Sequence, residues 1–201
     1  MAERRVTVHA RRCLHQGFYR FEILELSHRR FDGGWTGRLR RERLVQPPVA
    51  VVLPYDPVQD VVVLIEQFRV GALESEDGPW LLEAVAGIIE PGQRPEEVAL
   101  RELREETGLS ALRLERIGAY RASPGGTTER AELFLAQVVA PREGGTFGLA
   151  SEQEDIRTHP LAAEQAFAWL RAGRIVAATA VVPLLYLRAE RERLRRDWSG
   201  G

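Results

Sequence analysis

The sequence contains no lysine, and all 28 basic residues of the 201-residue chain are arginines. Phosphate-binding Walker loops, Schiff-base lysines and kinase-type lysines are therefore excluded, because each of them requires an ε-amino group. Cysteine is almost as scarce, with Cys13 as its one occurrence. A single cysteine excludes an intramolecular disulfide, a CxxC redox pair and a multi-cysteine zinc site, and it favours a reducing cytoplasm.

Long apolar segments are also missing. The first residues hold no apolar stretch that could serve as a secretory signal. The longest apolar run, 175–187, is interrupted by Thr179 and Pro183 and is shorter than the roughly 18 to 20 residues that cross a bilayer. The net charge is −1, whereas a nucleic-acid binder gathers a surplus of cations. These absences predict a soluble, cytoplasmic protein with neither a nucleic-acid nor a membrane partner.

The residues that are present predict one medium-sized domain with a small appendage. Apolar and polar residues alternate between Gly17 and about Val45, with turn residues at 32–34, which predicts a small antiparallel sheet. Pro47 and Pro48 follow, and consecutive prolines favour an extended linker. We therefore expect an N-terminal sheet region at 1–46 and a main domain at 47–201.

The main domain combines strand and helix patterns. Two nearly continuous apolar runs, 49–54 and 61–68, are typical of central strands buried on both faces. A helix is predicted from Pro95 to the stop at Gly108, with glutamates in its first turn. Other elements are strands at 80–86, 112–121 and 131–139 and two helices within 161–198, split near Gly173. The mixture predicts an α/β sandwich.

Three carboxylates crowd one edge of the predicted helix. Glu102 and Glu106 are one turn apart, and Glu105 lies beside them. Oxygen-rich clusters of this kind suit Mg²⁺ or Mn²⁺. The alternative is a solvated face on which the carboxylates pair with arginines or water. The helix alone does not decide between the two.

The stretch from Gly87 to Leu109 resembles the Nudix box, and it matches eight of the nine fixed positions of that pattern. The departure is Gln93, where the family normally has glutamate. The resemblance to ADP-ribose pyrophosphatases of the Nudix superfamily extends beyond the box, to the segments 53–57, 63–69, 79–83, 123–127 and 152–156.

This resemblance implies a Nudix α/β/α sandwich with a mixed sheet, preceded by a small N-terminal antiparallel sheet. It implies hydrolysis of ADP-ribose to AMP and ribose 5-phosphate, with other nucleoside diphosphate sugars as further candidates. Mg²⁺ is the implied cofactor, and Mn²⁺ can substitute for it. Relatives exchange the N-terminal sheet between subunits, so a homodimer is implied as well.

The resemblance also assigns roles to individual residues. The implied metal ligands are Glu102, Glu106, Glu154 and the backbone carbonyl of Ala86. The implied catalytic residues are Glu152, as the general base, and Glu105, as a further ligand or charge. Arg41 and Arg69 align with arginines that contact the substrate, and Arg41 is expected to reach the site of the partner subunit. Gly87, Gln93 and Arg101 are expected to shape the box, with residue 93 bracing Arg101.

Gln93 leaves a second function open. Glutamine keeps the hydrogen-bonding capacity of glutamate but loses its charge, so the brace should weaken more than the metal site. The chain could therefore be a catalytically weakened Nudix-fold protein that binds a nucleotide sugar as a sensor. The intact glutamates at the other expected positions favour the enzyme.

Overall fold

The computed structural model describes residues 5–198. The chain divides into two compact units, one formed by 1–48 with 121–130, the other by 49–120 with 131–201. The sequence had assigned 121–130 to the larger domain. Hydrogen bonds explain the difference: the Leu44 N–H donates to the Gly126 carbonyl at 2.8 Å, and the Thr128 N–H donates to the Leu44 carbonyl at 3.0 Å.

The first unit contains a three-stranded antiparallel sheet in the order β1-β2-β3. Its strands are β1 (Val6–Gln16), β2 (Arg20–His28) and β3 (Leu39–Val45). The small sheet that the sequence predicts is confirmed, but the prediction began at Gly17 and missed β1. Every residue of β1 is exposed, so no buried face imposes the apolar alternation by which strands are recognised.

The second unit contains an eight-stranded mixed sheet. Its strands are β4 (Val49–Asp56), β5 (Val61–Phe68), β6 (Trp80–Glu83), β7 (Val85–Ile88), β8 (Arg113–Arg121), β9 (Arg130–Gln137), β10 (Thr146–Phe147) and β11 (Ile156–Ala162). The main order is β10-β11-β5-β4-β9-β8, with β6 paired to β5 and β7 to β4. β4 runs parallel to β9 and antiparallel to β5.

Helices cover both faces of this sheet. The described helices are α1 (Pro95–Thr107), α2 (Ala163–Arg171) and α3 (Ala178–Trp198). On one face, Leu103 of α1 packs in a buried cluster with Val52 of β4. On the other, Phe167 of α2 and Leu184 of α3 share a cluster with Val51. Since neighbouring residues of β4 serve opposite clusters, the predicted α/β/α sandwich with a mixed sheet is confirmed.

The helix that carries the carboxylates has clear start and stop signals. Pro95 lies at its first position, and Glu96 and Glu97 occupy the first turn, where negative charge complements the helix dipole. Gly108 adopts a left-handed conformation with φ 69°, and its N–H donates to the Arg104 carbonyl, which ends the helix. The predicted helix is confirmed at both ends.

Three parts of the second unit differ from the sequence-based prediction, the smallest being the two-residue strand β10, which was not predicted. The strand expected at 80–86 is two strands, because the chain changes partner from β5 to β4 at Ala84. Strand β11 was missed because His159 and Pro160 interrupt its apolar pattern. The two C-terminal helices are confirmed. Among residues 5–198, no helix is long and apolar enough to span a membrane.

Candidate active site

The chain at Gly87 lies directly against Glu102 of α1. A Cβ atom added to Gly87 would lie 2.0 Å from the Glu102 Oε1, far inside any van der Waals contact. Glycine is therefore required for the Glu102 side chain to take this position against β7. The contact holds the Glu102 side chain at the end of β7, with only 14% of it exposed.

Glu106 is the most deeply buried carboxylate of α1, with 2% of its surface exposed. Its Oε2 accepts a hydrogen bond from the Ala86 N–H at 3.3 Å. Burial, together with the negative charges of Glu102 and Glu154, raises the pKa of Glu106 to about 9. The Ala86 hydrogen bond and the positive charge of Arg69 act in the opposite direction.

Glu102 also holds a carboxylate in an unfavourable environment. Burial is the main cause that raises the pKa of Glu102 to about 7, against the opposing charge of Arg101, whose Nη2 lies 2.7 Å from Oε1. Glu105, Glu154 and Glu152 add negative charge that raises this pKa further. We call Glu102, Glu105, Glu106, Glu152 and Glu154 the carboxylate cluster.

The cluster draws its last two members from the segment before β11. Glu154 accepts the Leu149 N–H through its Oε2 at 3.1 Å, which ties its side chain to the preceding loop. Glu152 is exposed and ends a short 3-10 helix at Ala150–Glu152. The charges of both reach Glu102, so the structure brings the helix and this segment together.

The box residues Arg101 and Gln93 have different partners from those that the resemblance implies. Arg101 pairs with Glu102 and, at 3.3 Å, with Glu105. The side-chain oxygen of Gln93 accepts the Glu90 N–H at 3.0 Å. Gln93 thus closes the turn that leads into α1, while Arg101 partly neutralises the carboxylate cluster.

The two predicted substrate arginines lie in different units. Arg69 follows β5 in the second unit, and its Nε and Nη2 lie 2.8 and 2.7 Å from the Glu83 Oε2. Arg41 lies on β3 of the first unit and is exposed, with Nη1 donating to the Arg40 carbonyl at 2.8 Å. Sequence reasoning had not singled out Glu83. The available signal was an acidic residue at the end of the apolar run 80–82.

The carboxylate cluster offers oxygen atoms, which suit a hard divalent cation. Carboxylate and carbonyl oxygens are the ligands that Mg²⁺ and Mn²⁺ prefer. Glu106 is buried and Glu102 is partly buried, and both have too little positive charge nearby to favour their ionised forms; a cation would supply that charge. Within residues 5–198, no three such side chains are already gathered in ligating positions. Binding would therefore require the side chains to converge.

Comparison of the sequence with models of known protein families shows which family the chain belongs to. The model of the NUDIX domain matches residues 45–178, which include β4, the box and α1. The chain belongs to the Nudix family. The resemblance inferred from the box is thus confirmed.

Curated relatives extend the similarity over nearly the whole Nudix chain. An ADP-ribose pyrophosphatase of Escherichia coli (strain K12) is 42% identical over 194 residues, covering 96% of this chain and 93% of that protein. An ADP-ribose pyrophosphatase of Haemophilus influenzae is 40% identical, covering 92% and 87%. A GDP-mannose pyrophosphatase of Citrobacter koseri is 32% identical, covering 75% and 78%.

A solved structure supports the fold independently. The crystal structure of an ADP compounds hydrolase superposes with a TM-score of 0.72, covering 96% of this chain and 95% of that chain. The sequences are 22% identical, so this likeness bears on the Nudix fold alone.

Proposed function

We propose that this Nudix chain hydrolyses the pyrophosphate bond of ADP-ribose to AMP and ribose 5-phosphate, with Mg²⁺ as cofactor and Mn²⁺ able to replace it. The observation that carries the proposal is that the buried Glu106 and the partly buried Glu102 lack full charge compensation. The 42% identity with an ADP-ribose pyrophosphatase, over 96% of the chain, supports the substrate.

The ligands of the proposed ion come from three parts of the second unit. Glu102 and Glu106 of α1, Glu154 before β11 and the carbonyl of Ala86 would hold it, with Glu105 as a further ligand or charge. A bound divalent cation would neutralise diphosphate oxygens and make the phosphorus easier for water to attack. Glu102 has to exchange its contact with Arg101 for this role.

Glu152 is the proposed general base. It is exposed, unlike the buried Glu106 of α1, so its carboxylate is accessible to the water that would attack the diphosphate and could accept a proton from it. Gln153 follows it in a left-handed conformation with φ 56°, which turns the chain sharply between Glu152 and Glu154. Glu152 is therefore proposed as the base and Glu154 as a metal ligand, although one residue separates them.

Arg69 and Arg41 are the proposed substrate contacts. A guanidinium binds phosphate oxygens through paired N–H donors, so either arginine suits the diphosphate. Arg69 is the better supported of the two, because its charge already acts on Glu106. Arg41 is proposed from the resemblance, together with its exposure on β3, as a contact in the site of the partner subunit.

We also propose that two copies form a homodimer through the region 1–46. Strand β1 is exposed along its whole length and lies at the edge of its sheet. A three-stranded sheet with such an edge buries little by itself. Sedimentation velocity at micromolar concentration should give a dimer, and a single monomeric species would contradict this proposal.

The decisive experiment measures AMP release from ADP-ribose with Mg²⁺ and with excess EDTA. We expect turnover with Mg²⁺ and none in EDTA, and Glu102→Gln should lower kcat by orders of magnitude. A parallel panel with GDP-mannose and other nucleoside diphosphate sugars tests the breadth of substrates. Tight binding of ADP-ribose without AMP release would instead favour the sensor that Gln93 leaves open.

A further inference from the structure

The buried carboxylate of Glu83 forms an ion pair with the partly exposed Arg69, whose charge acts on Glu106 of the carboxylate cluster. Glu83 is only 6% exposed, and its Oε2 receives both Nε and Nη2 of Arg69 at 2.8 and 2.7 Å. Gln67 donates to the same oxygen from 3.4 Å. One carboxylate oxygen therefore gathers donors from two side chains.

The backbone fixes both partners of this pair. β6 pairs with β5 so that Glu83 lies opposite Ile65, which sets the position of the carboxylate within the ladder. The Arg69 N–H donates to the Pro79 carbonyl at 2.7 Å, which anchors the arginine where β5 ends. Neither partner can move far without breaking backbone hydrogen bonds.

The rest of the Arg69 side chain remains available. Although Glu83 is buried, 41% of the Arg69 side chain is exposed. A guanidinium has five N–H donors in a rigid fork, and Glu83 occupies one edge of it. The charge of Arg69 acts on Glu106, so the guanidinium lies within electrostatic reach of the carboxylate cluster.

We propose that Glu83 is a positioning residue, which orients the Arg69 guanidinium so that its free donors meet the diphosphate of the substrate. Glu83 itself acts through Arg69 and has no contact with the substrate. The inference rests on the proposed function for its kinetic consequence. The orientation of Arg69 can be measured without turnover.

The kinetic test is a double-mutant cycle with ADP-ribose and Mg²⁺. Glu83→Gln keeps the shape of the side chain but removes its charge, and we expect kcat/KM to fall about tenfold or more. Glu83→Asp keeps the charge on a side chain that is shorter by one methylene group, and its kcat/KM should lie between those of the wild type and Glu83→Gln. In an Arg69→Ala background, Glu83→Gln should change kcat/KM less than about twofold, because two residues that act as one unit are not additive.

A matched control is available in the same unit. Glu132 is 8% exposed, and its Oε2 lies 3.1 and 2.6 Å from Nε and Nη2 of Arg116, the same arrangement as in the Glu83 pair. Neither residue is among the charges that act most on Glu102 or Glu106. Glu132→Gln should therefore leave kcat/KM within about twofold of wild type.

A second measurement follows the arginine itself. In NMR spectra, the Nε–Hε signal of Arg69, assigned by its loss in Arg69→Ala, should be protected from exchange in the wild type and unprotected in Glu83→Gln. An unchanged signal would overturn the positioning role, as would full additivity in the cycle. If the wild type fails to release AMP, the proposed function is rejected, and the NMR signal alone decides the role of Glu83.

Discussion

Glu106 is 2% exposed, and the donor that its carboxylate finds is a backbone N–H 3.3 Å away. A protein that needed only a stable core would place an apolar residue or a glutamine here, because a buried charge without a partner opposes folding. The ionised form becomes favourable only when positive charge is supplied. At this residue, the requirements of metal binding and of stability point in opposite directions.

Replacing Glu106 by glutamine should therefore separate the two requirements. In EDTA at pH 8, we expect Glu106→Gln to raise the free energy of unfolding by about 1 to 3 kcal/mol. At that pH the unfolded state is stabilised by ionisation of Glu106, whereas the folded carboxyl, with its pKa raised to about 9, stays largely protonated, and glutamine removes this difference. With Mg²⁺ and ADP-ribose, kcat should fall by about two orders of magnitude or more. Urea denaturation and initial rates measure the two effects.

Glu97 provides the matched control, because it lies on the same helix with 64% of its side chain exposed. Glu97→Gln should change the free energy of unfolding by less than about 0.5 kcal/mol. If Glu106→Gln destabilised the metal-free protein instead, the environment described for this carboxylate would be incorrect.

Gln93 is the residue at which the chain departs from the Nudix box. Its side-chain oxygen accepts the Glu90 N–H, and a glutamate could accept the same bond, so Gln93→Glu should preserve the turn. A carboxylate accepts this N–H in a stronger, charge-assisted hydrogen bond and should hold the turn before α1 more firmly. We therefore expect kcat to rise, by up to about tenfold, or the active pH range to widen. Rates measured from pH 6 to 10 test this. Unchanged kcat, metal affinity and pH profile would contradict the weakened brace inferred from the sequence.

At the scale of elements, the contact between Gly87 of β7 and Glu102 of α1 sets the position of a proposed metal ligand. Gly87→Ala would place a Cβ 2.0 Å from the Glu102 Oε1, and the flexible carboxylate would move before the backbone does. We expect kcat to fall at least tenfold while the far-UV circular dichroism spectrum stays unchanged. Gly37→Ala, where a Cβ meets nothing within 4 Å, should leave kcat near the wild-type value. A fully active Gly87→Ala enzyme would show that Glu102 can bind from another position.

The elements that sequence reasoning found are those with strong local signals. The buried runs of β4 and β5 and the capped helix α1 carry their identity in consecutive residues. By contrast, β1 and β11 are defined by their partners in the sheet, and β11 holds its place beside β5 despite Pro160. The carboxylates of α1 were predictable from their spacing and from the box. The pairing of Glu83 with Arg69 was not, because it depends on how β6 aligns with β5.

At the scale of the whole molecule, the raised pKa values predict an unusual pH dependence of stability. Glutamate ionises near pH 4.5 when unperturbed, whereas Glu102 and Glu106 do so near 7 and 9 in the folded chain. Between these limits the folded state binds more protons than the unfolded state, so the free energy of unfolding should decrease as pH rises. In EDTA, we expect the free energy of unfolding to be lower at pH 8.5 than at pH 5.5 by at least about 1 kcal/mol.

Adding Mg²⁺ should reverse much of this loss. Protons and the cation compete for the same carboxylates, so Mg²⁺ should stabilise the protein more at pH 8.5 than at pH 5.5, as measured by urea denaturation at both values. The Glu106→Gln variant should show a flatter pH dependence in EDTA. Equal stabilisation by Mg²⁺ at both pH values would indicate that the ion binds elsewhere.

The chain leaves the first unit after residue 48, returns for 121–130 and leaves again. During its return, the backbone at Gly126 and Thr128 pairs with Leu44, and the Thr128 hydroxyl accepts the Gln46 N–H. Dividing the chain at residue 46 would separate the segment 121–130 from Leu44 and leave that segment in the fragment that carries most of the Nudix domain. A fragment that begins at residue 47 would therefore lack the backbone partner that Gly126 and Thr128 have in the whole chain.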